Sequence, residues 1–212
     1  MRASPLLRPK SRLEARLKRL LTEDRGVAAV EFAMVLPVMV LLYLGMTELT
    51  FAVNTDRKLT HLSRTLADLT GREPGSTNAT AMENIFSAAT AVMAPYNSDG
   101  VNMVVSSIVV RPASGTDDDG NPNVKGFVCW SSAKGPAASP LGEGTEVLVP
   151  QGFRKAGSSF IRADVTMPYA PVFGSGVLQM VSGTATITLS EQTPWPVRNL
   201  SEIKWGTKGC LP

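Results

Sequence analysis

Between Val27 and Thr47 the chain reads VAAVEFAMVLPVMVLLYLGMT, 21 residues with a single charge, at Glu31. As a helix rising about 1.5 Å per residue, this run is roughly 31 Å long, close to the ~30 Å hydrocarbon core of a bilayer. Residues 1–26, just before it, hold eight basic side chains (Arg2, Arg8, Lys10, Arg12, Arg16, Lys18, Arg19 and Arg25) against Glu14, Glu23 and Asp24. The rest of the chain carries 13 basic and 15 acidic residues, so the basic balance of the protein belongs to its first 26 residues. A basic flank followed at once by an apolar run sets membrane orientation, with the flank cytoplasmic. That charge is no pointer to nucleic acid.

Three readings of the run compete. A secretory signal peptide needs a short apolar core and then a pair of small residues at the cut. Here Phe32–Met46 is followed by Thr47-Glu48-Leu49-Thr50-Phe51, and the small pair is missing. A plain membrane anchor explains the length but leaves Glu31 as a cost of about 2.5–3.5 kcal/mol if it lies at the bilayer centre. The third reading is a prepilin-type signal, in which the apolar helix comes after the cut and is kept. Gly26 precedes Val27, and Glu31 is the fifth residue counted from Val27. Cleavage after Gly26 leaves a largely cationic α-amine on Val27. Glu31 lies one helical turn on, where it can offset that amine in its own chain or in a neighbour's. A pair of this kind serves register between subunits better than it serves stability.

The stretch Arg25-Gly26-Val27-Ala28-Ala29-Val30-Glu31-Phe32-Ala33-Met34-Val35-Leu36-Pro37 resembles the N-terminal signature of TadE/TadG-like proteins, the pseudopilins or minor pilins of the tight-adherence (Tad, Flp, type IVc) pilus. Met34 stands where that family more often has Leu. A looser resemblance to the C-terminal part of the family covers Phe160–Tyr169 and Pro171-Val172-Phe173. The resemblance implies cleavage between Gly26 and Val27 by a prepilin peptidase, and Glu31 and Phe32 as assembly and register residues. It implies as partners the inner membrane, other Tad pilus subunits and assembly-platform proteins, with no cofactor and no small-molecule substrate. The runner-up is an uncleaved inner-membrane scaffold linking the assembly platform to the outer-membrane channel. Pro37, in mid-helix, removes the bond to Ala33. It is either a soft point for assembly or a tolerated kink, since spanning helices accommodate proline.

These readings give a domain plan: a leader at 1–26, a spanning helix at 27–47 and a periplasmic α+β domain at 48–212. Within the leader, Leu13, Leu17, Leu20 and Leu21 among basic residues read as a short amphipathic helix on an anionic membrane face, or as a solvated tail. Beyond the span, Leu59, Leu62, Leu66 and Leu69 step by three and four, with Leu49, Ala52 and Val53 extending the stripe back toward the membrane. Gly71 and Pro74 stop it. The spacing predicts one helix from Val27 to Thr70, its second half burying a face in the domain. A second helix is predicted over Thr80–Ala94, with Thr80 and Glu83 as a capping box and Pro95 as its stop.

Four strands are then predicted in a small antiparallel sheet: Val101–Val110, Lys125–Trp130, a strand with Ile161, Ala163, Val165 and Met167 on one face, and one with Ala185, Ile187 and Leu189 on one face. Pro194-Trp195-Pro196 and the residues after it read as irregular. Cys129 and Cys210 can pair if the domain is exported to an oxidising compartment, tying that tail back; otherwise both are free thiols.

Candidate sites fail one by one. From Asp117, Asp117-Asp118-Asp119-Gly120-Asn121 would need Gly and Glu at the sixth and twelfth places of an EF-hand loop, where Pro122 and Val128 stand. Gly142-Glu143-Gly144 lacks the third glycine of a dinucleotide turn. His61 stands alone, and two distant cysteines do not make a metal site. No active site is legible, and a non-enzymatic role in pilus assembly is the expectation.

Overall fold

The structure, a computed structural model, describes residues 24–116, 122–198 and 201–211. The leader leucines and Asp117–Asn121 lie outside the described residues. Helix α1 runs Asp24–Gly71, 48 residues, continuous through Pro37. The chain divides into two units, one ending at Glu48 and one beginning at Leu49. The first contributes the uncovered beginning of α1. The second is an α+β domain.

In the second unit, Thr55, Leu59, Leu62, Ser63, Leu66, Ala67 and Thr70 are buried, a stripe that keeps the helical period. Leu49 and Val53 do not extend it, being 64% and 41% exposed, because the cover over α1 ends near Thr55. Helix α2 spans Ala79–Thr90 and passes into a 3-10 turn, Ala91–Met93. The expected Thr80/Glu83 capping box does not form. Asn78, a better N-cap, takes that place, and its side chain accepts from the Ala81 N–H at 2.9 Å. Glu83 instead pairs with Lys134 on the sheet. Met82, Ile85, Phe86, Ala89 and Met93 face inward.

The sheet has five strands where four were expected. They are β2 (Asn102–Thr116), β3 (Pro122–Lys134), β4 (Glu146–Val147), β5 (Ser159–Tyr169) and β6 (Ile187–Pro196), in the order β4-β3-β2-β5-β6, all antiparallel. Strand β4 has two residues, too few to show a period. Strand β6 begins at Ile187, so Ala185 lies ahead of it, and Ile187 itself is 46% exposed. It also runs through Pro194-Trp195-Pro196, expected to be irregular. It is an edge strand, where a missing N–H on the outer side costs no ladder bond.

Strand β2 is central, and Val105–Val110 are buried on both faces. One face meets α1 and α2 through Met103, Val105, Val109, Ile161, Ala163 and Val165. The other packs Ile108, Val110 and Phe160 against Val149, with Phe153 against Phe160 at a centroid distance of 4.9 Å. The register slips between Ser107↔Trp130 and Ile108↔Val128, leaving Cys129 as an extra residue. This bulge turns Cys129 and Trp130 to the same face.

Segment 201–211 is held there. Cys129 and Cys210 form a disulfide, Trp130 Nε1 donates to the Ile203 carbonyl at 2.6 Å, and the Trp130 ring packs at a tilt against Trp205, centroids 5.3 Å apart. The buried Glu202 carboxylate accepts from the N–H groups of Cys210 and Leu211, each at 2.9 Å. Gly209 lacks a side chain because a Cβ there would meet Glu202 Oε1. Strand β1 (Ser76–Thr77) pairs in parallel with β7 (Lys204–Trp205). A short helix that no sequence pattern announced, α3 (Ser175–Ser182), joins β5 to β6 and ends at Gly183 with φ 74°.

Candidate functional site

The first unit places the candidate residues on one helix. Every large apolar side chain from Val27 to Tyr43 is at least 45% exposed, on all sides of α1. A helix apolar around its whole circumference is stable only inside a core or inside a bilayer. Among the described residues nothing buries this stretch, and it is the single helix long and apolar enough to cross a membrane.

Gly26 and Val27 lie in the first turn of α1, and Gly26 has open space around it. Glu31 comes four residues after Val27, so the two share a helix face one turn apart. Glu31 is exposed and Phe32 is 66% exposed. Pro37 has no N–H to give, so the Ala33 carbonyl loses its helical partner while the helix continues. The structure therefore groups Gly26, Val27, Glu31 and Phe32 within the first turns of α1, and sets Pro37 more than a turn further on. Cys129 and Cys210 belong to the other unit.

In the second unit, two open hollows lie beside the sheet. One is bounded by Arg111, Glu143, Gly157 and Cys210, the other by Lys125, Glu146, Leu148 and Arg154. Neither sets a nucleophile beside a base, and each acid there has a cation partner: Glu143 with Lys208 at 2.7 Å, Glu146 with Lys125 at 3.0 Å. Among the described residues no group of three or more His, Cys, Asp or Glu is placed to hold a metal. His61 is exposed on α1.

Asp68 fastens the end of α1 to the sheet edge. It receives Trp195 Nε1 at 3.1 Å, Arg198 at 2.5 Å and Arg72 at 2.6 Å. Gly71 permits this approach, since a Cβ there would come within 3.0 Å of the Pro196 carbonyl.

Sequence reasoning missed the exposed apolar residues around α3. The signal for them was the lack of any charged residue between Asp164 and Glu191.

No curated protein and no solved structure gives a significant match to the chain. A family match is found on the helix itself, and it stops short of the looser Phe160–Phe173 resemblance. Residues 26–68, from the glycine in the first turn of α1 to the aspartate that pins its far end, match the model of the family described as TadE-like protein.

Proposed function

We propose that this chain is a minor pilin or pseudopilin of a Tad-type pilus, made as a single-pass inner-membrane precursor and cut after Gly26. The observation that carries the reading is the uncovered apolar half of α1, opening on Gly26-Val27 with Glu31 one turn on, inside the TadE-like segment. The basic residues 1–26 stay in the cytoplasm with the cut site, residues 27–47 span the bilayer, and the domain from 48 onward faces the periplasm. An oxidising periplasm suits the Cys129–Cys210 disulfide.

The chemistry runs in order. A prepilin peptidase has to reach a peptide bond that is helical here, so the first turn of α1 must open. Gly26 lowers the cost of that by about 0.5–1 kcal/mol relative to alanine. The released Val27 amine is cationic, and the Glu31 carboxylate of a neighbouring subunit neutralises it as both leave the bilayer, fixing the axial register. Phe32, pointing outward next to Glu31, packs against that neighbour. Pro37 supplies a point where the helix bends during transfer.

N-terminal sequencing of the membrane-extracted protein, with and without the peptidase, tests this reading. A start at Val27 that depends on the peptidase is the expected result. An intact Met1 end in both cases would favour the uncleaved scaffold. After cleavage is established, Glu31→Gln should leave membrane insertion intact and remove the protein from sheared pili.

A further inference from the structure

Apart from Leu148, the most exposed apolar side chains of the second unit lie at the connection between β5 and β6. Met180 and Val181 on α3 are 89% and 81% exposed, and Ile187 at the start of β6 is 46% exposed. Leu178 is half-buried. The 26 residues from Val165 to Ser190 include no charge at all. Exposed apolar residues scattered singly are ordinary, whereas several on one short connection point to an interaction surface.

Its position is set by bonds between α1 and β6. Ser63 Oγ lies 2.9 Å from Thr193 Oγ1, Trp195 Nε1 donates to Asp68 at 3.1 Å, and the Arg198 N–H donates to the Gly71 carbonyl at 3.2 Å. Helix and strand thus run side by side in the same direction. Ile187 stands six residues before Thr193, about 20 Å back at ~3.3 Å per residue. The same distance along a helix is about 13 residues, which reaches back from Ser63 to about residue 50. Tyr169 pairs with Ile187, so the whole β5–β6 connection, α3 included, lies at the end of the domain where the chain enters at Leu49. That is two residues past the apolar run.

We propose that α3 is an interfacial membrane helix, with Met180 and Val181 entering the headgroup–acyl boundary of the bilayer that residues 27–47 cross, on the leaflet where Thr47 emerges. This rests on the reading of 27–47 as a span. A lipid surface fits better than a protein partner because the patch lies at the end of the domain that joins directly onto the span. Its polar positions (Ser175, Gln179, Ser182 and Thr184) are uncharged, offering nothing for a protein partner to pair with ionically. An interfacial helix buries its apolar face about 5–10 Å below the headgroups. Held in this way as well as by its span, the domain is fixed in rotation about the α1 axis, and leaving the bilayer requires α3 to let go.

Photocrosslinking of the full chain in vesicles of phosphatidylethanolamine and phosphatidylglycerol tests this, with p-benzoylphenylalanine placed singly at Met180, Leu148 or Leu41. Leu148 is the control: it is also 89% exposed but comes just after β4, which pairs with β3 where that strand is level, through Val109, with Ser159 at the opposite end of β5. Phospholipid adducts at position 180 are expected at a yield roughly tenfold above position 148, approaching position 41. Lipid adducts at 41 with 180 no higher than 148 would overturn the inference and leave the span standing. Adducts from 180 to a second copy would overturn it in favour of a subunit interface. No lipid adduct at 41 would overturn the span, and this inference with it.

Discussion

From Val27 to Tyr43, α1 carries large apolar side chains around its whole circumference, and all are at least 45% exposed. From Thr55 to Thr70 the same helix carries apolar and small residues on one stripe, and that stripe is buried while Asp56, Arg57, His61 and Arg64 face out. Both halves are helical and both contain leucine, so neither propensity nor leucine content separates them. What separates them is the angular distribution of polarity. A stripe calls for a partner on one side, whereas a full apolar girdle calls for an apolar solvent on every side. The break between the two regimes falls around Glu48, which opens a stretch with a charged or polar residue at nearly every turn.

Lysine scanning gives the hardest test of that contrast. Leu62→Lys places an ammonium where the side chain is fully buried, and it should abolish the cooperative unfolding transition seen by tryptophan fluorescence while membrane extraction stays unchanged. Leu41→Lys should do the reverse, lowering insertion by about 2.5–3.5 kcal/mol and leaving the transition in place. A domain unfolded by Leu41→Lys would break the comparison. Next in size is the Cys129→Ser/Cys210→Ser double variant. For a sequence separation of 81 residues, losing the cross-link should lower domain stability by ~4 kcal/mol in denaturant titration, with no change in membrane anchoring.

Truncation sharpens the contrast at a lower energy. Leu62→Ala should destabilise the domain by about 2–5 kcal/mol, and Leu41→Ala should leave its midpoint where it was. The smallest effect concerns α2. Asn78→Ala should cost about 1 kcal/mol, and Thr80→Ala should stay within about 0.5 kcal/mol, by the same titration. Equal losses at the two positions would restore the capping box that the sequence pattern favours.

What could be read from the sequence divides along physical lines. The girdle is a long unbroken apolar run, and the leucine stripe and the alternation of Ile161, Ala163 and Val165 in β5 keep a period; each extends over enough residues to report the local solvent directly. Strand β4 and helix α3 have two and eight residues, too few for a period to emerge. The far half of strand β6 was obscured by Pro194 and Pro196, whose ban from strands lapses at a sheet edge. The Asn78 cap lost to a motif match because T-x-x-E is a pattern, while the cap is decided by which side chain reaches the free N–H groups. Of the candidate residues, Gly26, Val27, Glu31 and Pro37 could be assigned to one helix from the sequence, because their spacing depends only on order along it. The apolar tip around α3 was not, because it depends on which strand ends the sheet brings together.

Where the domain is exported as proposed, the latch formed by segment 201–211 bears on the order in which it closes. If the chain is threaded out beginning with α1, the Cys129 thiol arrives 81 residues ahead of the one that oxidises with it. Over that interval the bulge in β3 has no cross-link, Trp130 has no acceptor in the Ile203 carbonyl, and the neighbouring core is open to water. On that topology, closure of the domain waits until Cys210 has crossed, and a subunit held in transit before that point lacks this clasp.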